Sequence, residues 1–396
     1  MTGRRVTLVV SNDTQVRMFA PVVRVLEAGG SVATLLGLDA YYGQRVAAEA
    51  SAQGLEVQIV PRPRGEVVGG GFYHRPTVAV WADVIGARRM MRMAMRASRP
   101  DTVVVANDRG LLEKVALLEA RRVGARTVLV QDGRMAPRPS PSTLVARIRS
   151  RFKAGVSAVL RAMGFPFLAA SEYGASGVDL ICASGSASAR LLGGRARGRS
   201  RVVVTGQPRY DAIARSPANE PRIDAAMITT PFERAGLGRA YQDRQMAVAL
   251  ALSQWAQQHG RRFVIQPHPR EDPTPYREAL GEQFIASTAP RELLTASNVA
   301  VIGMSTMIEE AAMLGCPVVV PGAIVHGRQF DALLPPEDVY PRCDSVDQLI
   351  TWLERTRDPG ERAHLLDGQL AHVDEEVDWR SETPAAERVA AAILAP

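Results

Sequence analysis

The sequence predicts an α/β protein of two domains, each a parallel sheet with helices on both faces. Three observations predict it. The chain has 396 residues, which is comfortable for two cores and long for one. Short apolar runs, the pattern of strands buried on both faces, alternate with helical stretches. Several of these runs end in polar turns, and in doubly wound sheets such turns line the ligand crevice.

The alternation begins with a strand at Val6–Val10, after which Ser11-Asn12-Asp13-Thr14 offers N-cap residues. Gln15 to Glu27 has helical apolar spacing and stops at Gly29-Gly30. Val32–Leu36 is a strand, Val46–Ala52 a helix and Val57–Val60 a third strand. Pro61 to Gly71 is a loop, and Val78 to Arg96 a helix with an Arg/Met face. Asp101–Ala106, helix Gly110–Gly124 and Thr127–Val130 continue the pattern. Their turns are Asn107-Asp108-Arg109 and Gln131-Asp132-Gly133-Arg134. Residues 134–178 interrupt it with a basic amphipathic candidate, Leu144 to Met163. Leu180–Ala183, a helix to about Leu192 and Arg201–Thr205 resume it up to Gly206.

In the second half, strands are expected at Ala225–Thr229, Phe263–Gln266, Val299–Ile302 and Pro317–Val320. Helices are expected at Gln242–Gln258, Glu292–Ala296, Ser305–Leu314, Asp344–Arg357 and Ala385–Leu394. The expected domains are 1–203, carrying the basic insertion at about 134–178, and 204–378, with 379–396 as a final helix.

Composition narrows the function. Hydrophobic residues at 46% and charged residues at 22% fit a globular protein, and no apolar run is long enough to span a bilayer. Met1 to Val10 passes straight into a strand, so no signal peptide is expected. Cys182, Cys316 and Cys343 are odd in number and far apart, which points to a reducing cytoplasm rather than a disulfide framework. No motif asks for a metal or another cofactor. The formal charge is +7, carried almost wholly by arginine. Arginine pairs well with phosphate, so phosphorylated substrates or anionic lipid suit it. Nucleic acid is not expected, because no recognition motif accompanies the charge.

Four features could carry chemistry. Gly303-Met304-Ser305-Thr306 leads from a strand into a helix, whose unpaired N–H groups suit phosphate. Glu310, one turn on, could accept from a ribose diol. The competing reading is an ordinary cap with Glu309 as its capping-box partner. Gln266-Pro267-His268-Pro269-Arg270 is a rigid turn that aims His268 and Arg270 toward phosphate or a proton transfer, or is simply a surface turn. Gly206, in Val204-Thr205-Gly206-Gln207-Pro208, would let a ligand approach the backbone, or serves as a linker. Asp108 and Asp132 could act as general bases, or as helix caps.

In this order, Val204-Thr205-Gly206-Gln207-Pro208, His268-Pro269-Arg270-Glu271 and Ser305-Thr306-Met307-Ile308-Glu309-Glu310 resemble a GT-B superfamily. It includes non-hydrolysing UDP-N-acetylglucosamine 2-epimerases, CDP-glycerol glycerophosphotransferases and polysialyltransferase-like enzymes. The resemblance implies two Rossmann-like domains facing across a cleft, the nucleotide on the C-terminal one, and a final helix returning to the N-terminal one. It implies that His268 contacts the donor phosphate or assists its departure, that Ser305 and Thr306 bind phosphate and that Glu310 binds the ribose. On their own chemistry Gly206 and Arg270 join these as donor-binding candidates, and Asp132, Asp108 and His268 are the catalytic ones. The sequence departs from the epimerases at Met304-Ser305-Thr306, at Gln131-Asp132-Gly133-Arg134 and at Met18, where they carry lysine.

The reading that follows is an inverting, metal-independent glycosyltransferase of surface-polysaccharide or glycoconjugate synthesis. It would use a nucleotide-activated sugar or CDP-polyol donor and a saccharide or lipid-linked acceptor. Peripheral contact with anionic membrane at the inner face of the cell would come from Leu144–Met163 and Val78–Arg96. The alternatives are a UDP-amino-sugar 2-epimerase and a nucleotide-sugar-binding protein without catalysis.

Overall fold

The computed structural model describes residues 3–42, 45–62, 78–133, 135, 155–158, 172–196, 200–213, 221–233, 237–325 and 334–396. They form two compact units. One runs to Asp211 and includes the C-terminal segment Glu375–Pro396; the other holds Ala212–Asp374.

The first unit is built on a seven-stranded sheet in the order β3-β2-β1-β4-β5-β6-β7. The strands are β1 (Arg5–Val10), β2 (Val32–Gly37), β3 (Val57–Ile59), β4 (Thr102–Val105), β5 (Arg126–Val130), β6 (Leu180–Ala183) and β7 (Arg201–Val204). All pairings are parallel; Val9 stands between Leu36 and Val105. The strand order reverses between β1 and β4. In doubly wound sheets the ligand crevice lies at such a point, beyond the carboxyl ends.

Alternation along the strands divides the interior into two layers. Val9, Val103 and Val105 pack against Met91, Met95, Val115 and Leu117. Leu8, Val10 and Val104 pack against Phe19, Val22, Val389 and Ile393. The second layer joins helix α1 (Asp13–Ala28) to the last helix of the chain, Ala385–Leu394. Asn12 caps α1 by accepting the Gln15 N–H at 2.9 Å. Asp211 caps the last helix, accepting the N–H groups of Ala385 and Ala386 at 2.9 and 2.8 Å.

The helix Val78–Ser98 carries the expected arginines and methionines on more than one face, Met93 being exposed. Met91 and Met95 are buried. Arg88 and Arg92 turn inward instead, and with Arg122 they close on the fully buried Glu119 at 2.8–2.9 Å. A buried carboxylate needs such partners. The other basic candidate, Leu144–Met163, lies outside the described residues except for 155–158.

The second unit has a four-stranded parallel sheet, ordered β11-β10-β8-β9. Its strands are β8 (Ile223–Ile228), β9 (Phe263–Gln266), β10 (Ser297–Ile302) and β11 (Val318–Val319). Trp255, Phe263, Phe284 and Leu349 fill its core. The helix expected over Ser305–Leu314 is shorter, Met307–Met313, with Thr306 at its cap. Thr274–Leu280 and Pro359–Val377 are helices that the periodicity does not predict. No helix of the described residues is long and apolar enough to cross a membrane.

Candidate functional site

In the first unit, polar residues gather where β1 and β5 end. Ser11 follows β1, and its backbone N–H donates to Gln15 Oε1 at 2.8 Å. That bond fixes the orientation of the amide, so Gln15 Nε2 points the other way and donates to Asp132 Oδ2 at 2.9 Å. The Ser11 hydroxyl donates to Glu113, whose second oxygen accepts from the Tyr42 hydroxyl at 2.8 Å. A continuous hydrogen-bonded chain therefore links Tyr42, Glu113, Ser11, Gln15 and Asp132.

Both carboxyls in this chain bind protons more tightly than usual. Burial pushes Glu113 up, outweighing its Ser11 and Tyr42 donors, and the Asp132 charge adds to the rise. Burial likewise pushes Asp132 up, against the opposing pull of Gln15 and the Arg209 guanidinium. Asp132 keeps partial exposure, whereas Glu113 is 2% exposed. Only Asp132 of the two can reach a substrate without a rearrangement.

The Gly206 motif supports this turn from behind. Gln207 Nε2 donates to the Gln131 carbonyl at 2.9 Å. Gln131 in turn accepts the Ser184 N–H at 3.0 Å through its own side chain. Gly206 itself has φ +77°, and a Cβ there would lie 2.5 Å from Arg388 Nη2 and 2.8 Å from Ala385 Cβ. The glycine makes room for the final helix.

Asp108 lies deeper than Asp132. It is fully buried, and both oxygens accept the Gly174 N–H at 3.0 Å while one also takes the Ser176 N–H at 3.1 Å. Its carboxylate anchors the segment entering β6 rather than facing solvent.

In the second unit, Glu271 organises the His-Pro turn. It accepts from the Thr229 hydroxyl and from the His268 backbone N–H at 3.0 Å. Its other oxygen accepts from Tyr276 at 3.1 Å, Gln245 at 3.2 Å and Gln242. The Arg270 N–H donates to His268 Nδ1 at 3.0 Å, so the neutral ring carries its proton on Nε2. Burial, helped by the Arg270 charge and opposed by Glu271, lowers the His268 pKa. His268 at neutral pH is thus an uncharged N–H donor, and Arg270 is exposed beside it.

Thr229 and Thr230, at the end of β8, join this turn to the next. Thr229 Oγ1 accepts the His268 N–H at 2.8 Å, and Thr230 Oγ1 donates to the Met304 carbonyl at 3.4 Å. The His268 and Ser305 turns are brought together on either side of β8. Ser305 Oγ accepts the Met307 N–H at 3.2 Å, and Thr306 has helical backbone angles with no side-chain cap bond. Glu310 is nearly buried, and one of its oxygens accepts from Arg291 Nε at 2.9 Å. Its other oxygen has no partner among the described residues. The described residues contain no His/Cys/Asp/Glu cluster placed to hold a metal.

Ser11, Gln15, Tyr42 and Glu113 were not among the candidates, nor were Thr229, Gln242 and Gln245. Their one local signal is a polar residue on an otherwise apolar helix face: Gln15 beside Val16 and Phe19, and Gln245 beside Val248 and Ala249.

No protein family and no curated protein matches this sequence. Solved structures do. The UDP-GlcNAc 2-epimerase of Neisseria meningitidis, solved with UDP-GlcNAc, superposes with a TM-score of 0.62 at 13% identity, over 98% of this chain and 99% of that one. The calicheamicin glycosyltransferase CalG4 gives 0.58 at 15% identity over all of both chains. MurG of Acinetobacter baumannii gives 0.55 at 13% identity, over 98% of this chain and 99% of that one. With its two parallel-sheet units, the chain has the GT-B fold of two Rossmann-like domains.

Proposed function

We propose that the protein is an inverting glycosyltransferase that uses a nucleotide-activated sugar, or a CDP-polyol, in making surface polysaccharide or a glycoconjugate. Support for a nucleotide-sugar substrate comes from the fold neighbours, among them an epimerase holding UDP-GlcNAc, the glycosyltransferase CalG4, and MurG. The observation that carries transfer over epimerisation is the unequal placement of Asp108 and Asp132. Moving a proton off and back onto a sugar carbon calls for acid/base groups on both sides of it. Asp108 is committed to backbone N–H groups, which leaves Asp132 as the one partly exposed carboxyl of this pair.

With a sugar donor, Asp132 takes the proton of an acceptor hydroxyl as its oxygen attacks the anomeric carbon. The bond from that carbon to the donor phosphate breaks, and its electron pair leaves with the nucleotide. His268 Nε2–H, Arg270 and the hydroxyls of Ser305 and Thr306 stabilise the departing phosphate oxygens. The free oxygen of Glu310 accepts from the ribose. A raised pKa suits Asp132 to this role, because a base works best when its pKa lies near the working pH.

The second reading, a 2-epimerase of UDP-amino sugars, is supported by the epimerase neighbours, which superpose with TM-scores of up to 0.63 over nearly the whole chain. Incubation with UDP-N-acetylglucosamine in deuterated water separates the two. Acceptor-dependent release of nucleotide with no deuterium at C2 supports transfer; deuterium at C2 overturns it in favour of epimerisation.

A further inference from the structure

The helix Val78–Ser98 presents two differently equipped faces. Val84, Ala87, Met91 and Met95 are buried in the first unit. On the opposite side Ile85 is 66% exposed and Met93 54% exposed, with Arg89 and Arg96 exposed alongside. Steps of four, four and three residues place Ile85, Arg89, Met93 and Arg96 on one stripe. Arg88 and Arg92 do not belong to it, because Glu119 holds them. Arg89, Arg96 and Arg99 have no ion-pair partner among the described residues. Where the helix ends, Arg5, Arg96 and Arg99 line one groove of about 640 Å³. Its carboxylate, Asp101, is occupied by the backbone N–H of Arg5 at 2.7 Å and lies 3.8 Å from the Arg5 guanidinium.

We infer that this stripe docks the protein on an anionic phospholipid surface. Ile85 and Met93 enter the boundary between headgroups and acyl chains, while Arg89, Arg96 and Arg99 pair with lipid phosphates. An apolar phase would take Ile85 and Met93 out of water together, and the arginines between them favour a phase with a negative surface. A second copy docked about a twofold axis would set these arginines against their own symmetry mates. A soluble phosphorylated polymer would satisfy the arginines but leave Ile85 and Met93 in water. The inference stands apart from the nucleotide-sugar reading.

Sedimentation of the full chain with phosphatidylcholine vesicles, with and without phosphatidylglycerol, tests it. The expected result is binding only to the vesicles containing phosphatidylglycerol, weakening as salt is raised. The double variants Ile85→Asp/Met93→Asp and Arg89→Glu/Arg96→Glu should each lower partitioning by at least about tenfold. All four positions are exposed, so the unfolding temperature and the thermal response to nucleotide should stay at wild-type levels. No vesicle binding, equal binding to both vesicle types, or binding that both variants retain would overturn the proposal. So would self-association in solution that these variants abolish without any vesicle binding, which would assign the face to a second copy.

Discussion

Gln15 Nε2 donates to Asp132 Oδ2 at 2.9 Å, and Gln15 cannot turn away because its own Oε1 accepts the Ser11 backbone N–H at 2.8 Å. The amide at the start of α1 therefore holds the proposed base in one orientation and stabilises its ionised form. Replacing Gln15 by leucine removes a side-chain hydrogen bond that lowers the Asp132 pKa. Gln15→Leu should shift the basicity of Asp132 upward, moving the acid limb of the turnover profile to higher pH. It should also cost about 1–3 kcal/mol in urea unfolding, from the unpaired groups left behind. An unchanged acid limb would separate Asp132 from the proton transfer.

Glu113 gives a stability prediction with a definite sign. Its folded pKa lies above the ordinary value of 4.5, so the native state binds the proton more tightly than the unfolded chain does. The contribution of Glu113 is therefore fully present below about pH 4.5 and is lost as pH rises through the folded value. Glu113→Gln, which removes the charge and keeps the shape, should gain stability relative to wild type as pH rises. The gain should be about 1.4 kcal/mol for each unit by which the group is raised. Melting temperatures of the two proteins at pH 5 and pH 8 check this. A gap that does not widen with pH would contradict it.

Glu271 should be indispensable to the second unit. Its carboxylate collects five donors: Thr229, His268 N–H, Gln242, Gln245 and Tyr276. Glu271→Ala would leave several of them buried and unpaired and release the turn that aims His268. A loss of about 3 kcal/mol is expected in urea unfolding, together with loss of nucleotide binding under conditions where the variant is still folded.

Gly206→Ala separates a structural role from a ligand role. The new Cβ would meet Arg388 and Ala385, on a backbone at φ +77°. A cost of about 1–3 kcal/mol is expected from strain and overpacking. Nucleotide affinity, measured by calorimetry on the folded variant, should stay at the wild-type level. Weakened binding with unchanged stability would assign a ligand role to Gly206.

How much of this could be read from the sequence depends on the range of the interaction. The sheets were legible, because strands buried on both faces appear as largely apolar runs such as Val6–Val10 and Thr102–Val105. The helix Pro359–Val377 was not. Its interior Gly368 and scattered polar residues hide the period, and packing supplies what propensity lacks. Asp108 and Asp132 look alike in sequence, each in a polar turn after a strand. Gly174 and Ser176, more than 60 residues away, are what fill Asp108, and no local signal announces them. Gly206 was noticed for its freedom, but the reason for it, Arg388, lies near the other end of the chain. Glu271 was visible only as part of a motif; five donors from four segments define its task.

In the proposed function the second unit binds a nucleotide diphosphate or monophosphate through the His268 and Ser305 turns. Thermal unfolding with UDP, CDP, CMP, GDP and TDP in turn, on wild type and on His268→Ala, tests it most directly. One nucleotide should stabilise the wild type, by about 2.7 kcal/mol at a hundredfold excess over its Kd. The His268→Ala variant should lose most of that response while melting near the wild-type temperature without nucleotide. No response of the wild type to any of the five, or an undiminished response in the variant, would contradict the account.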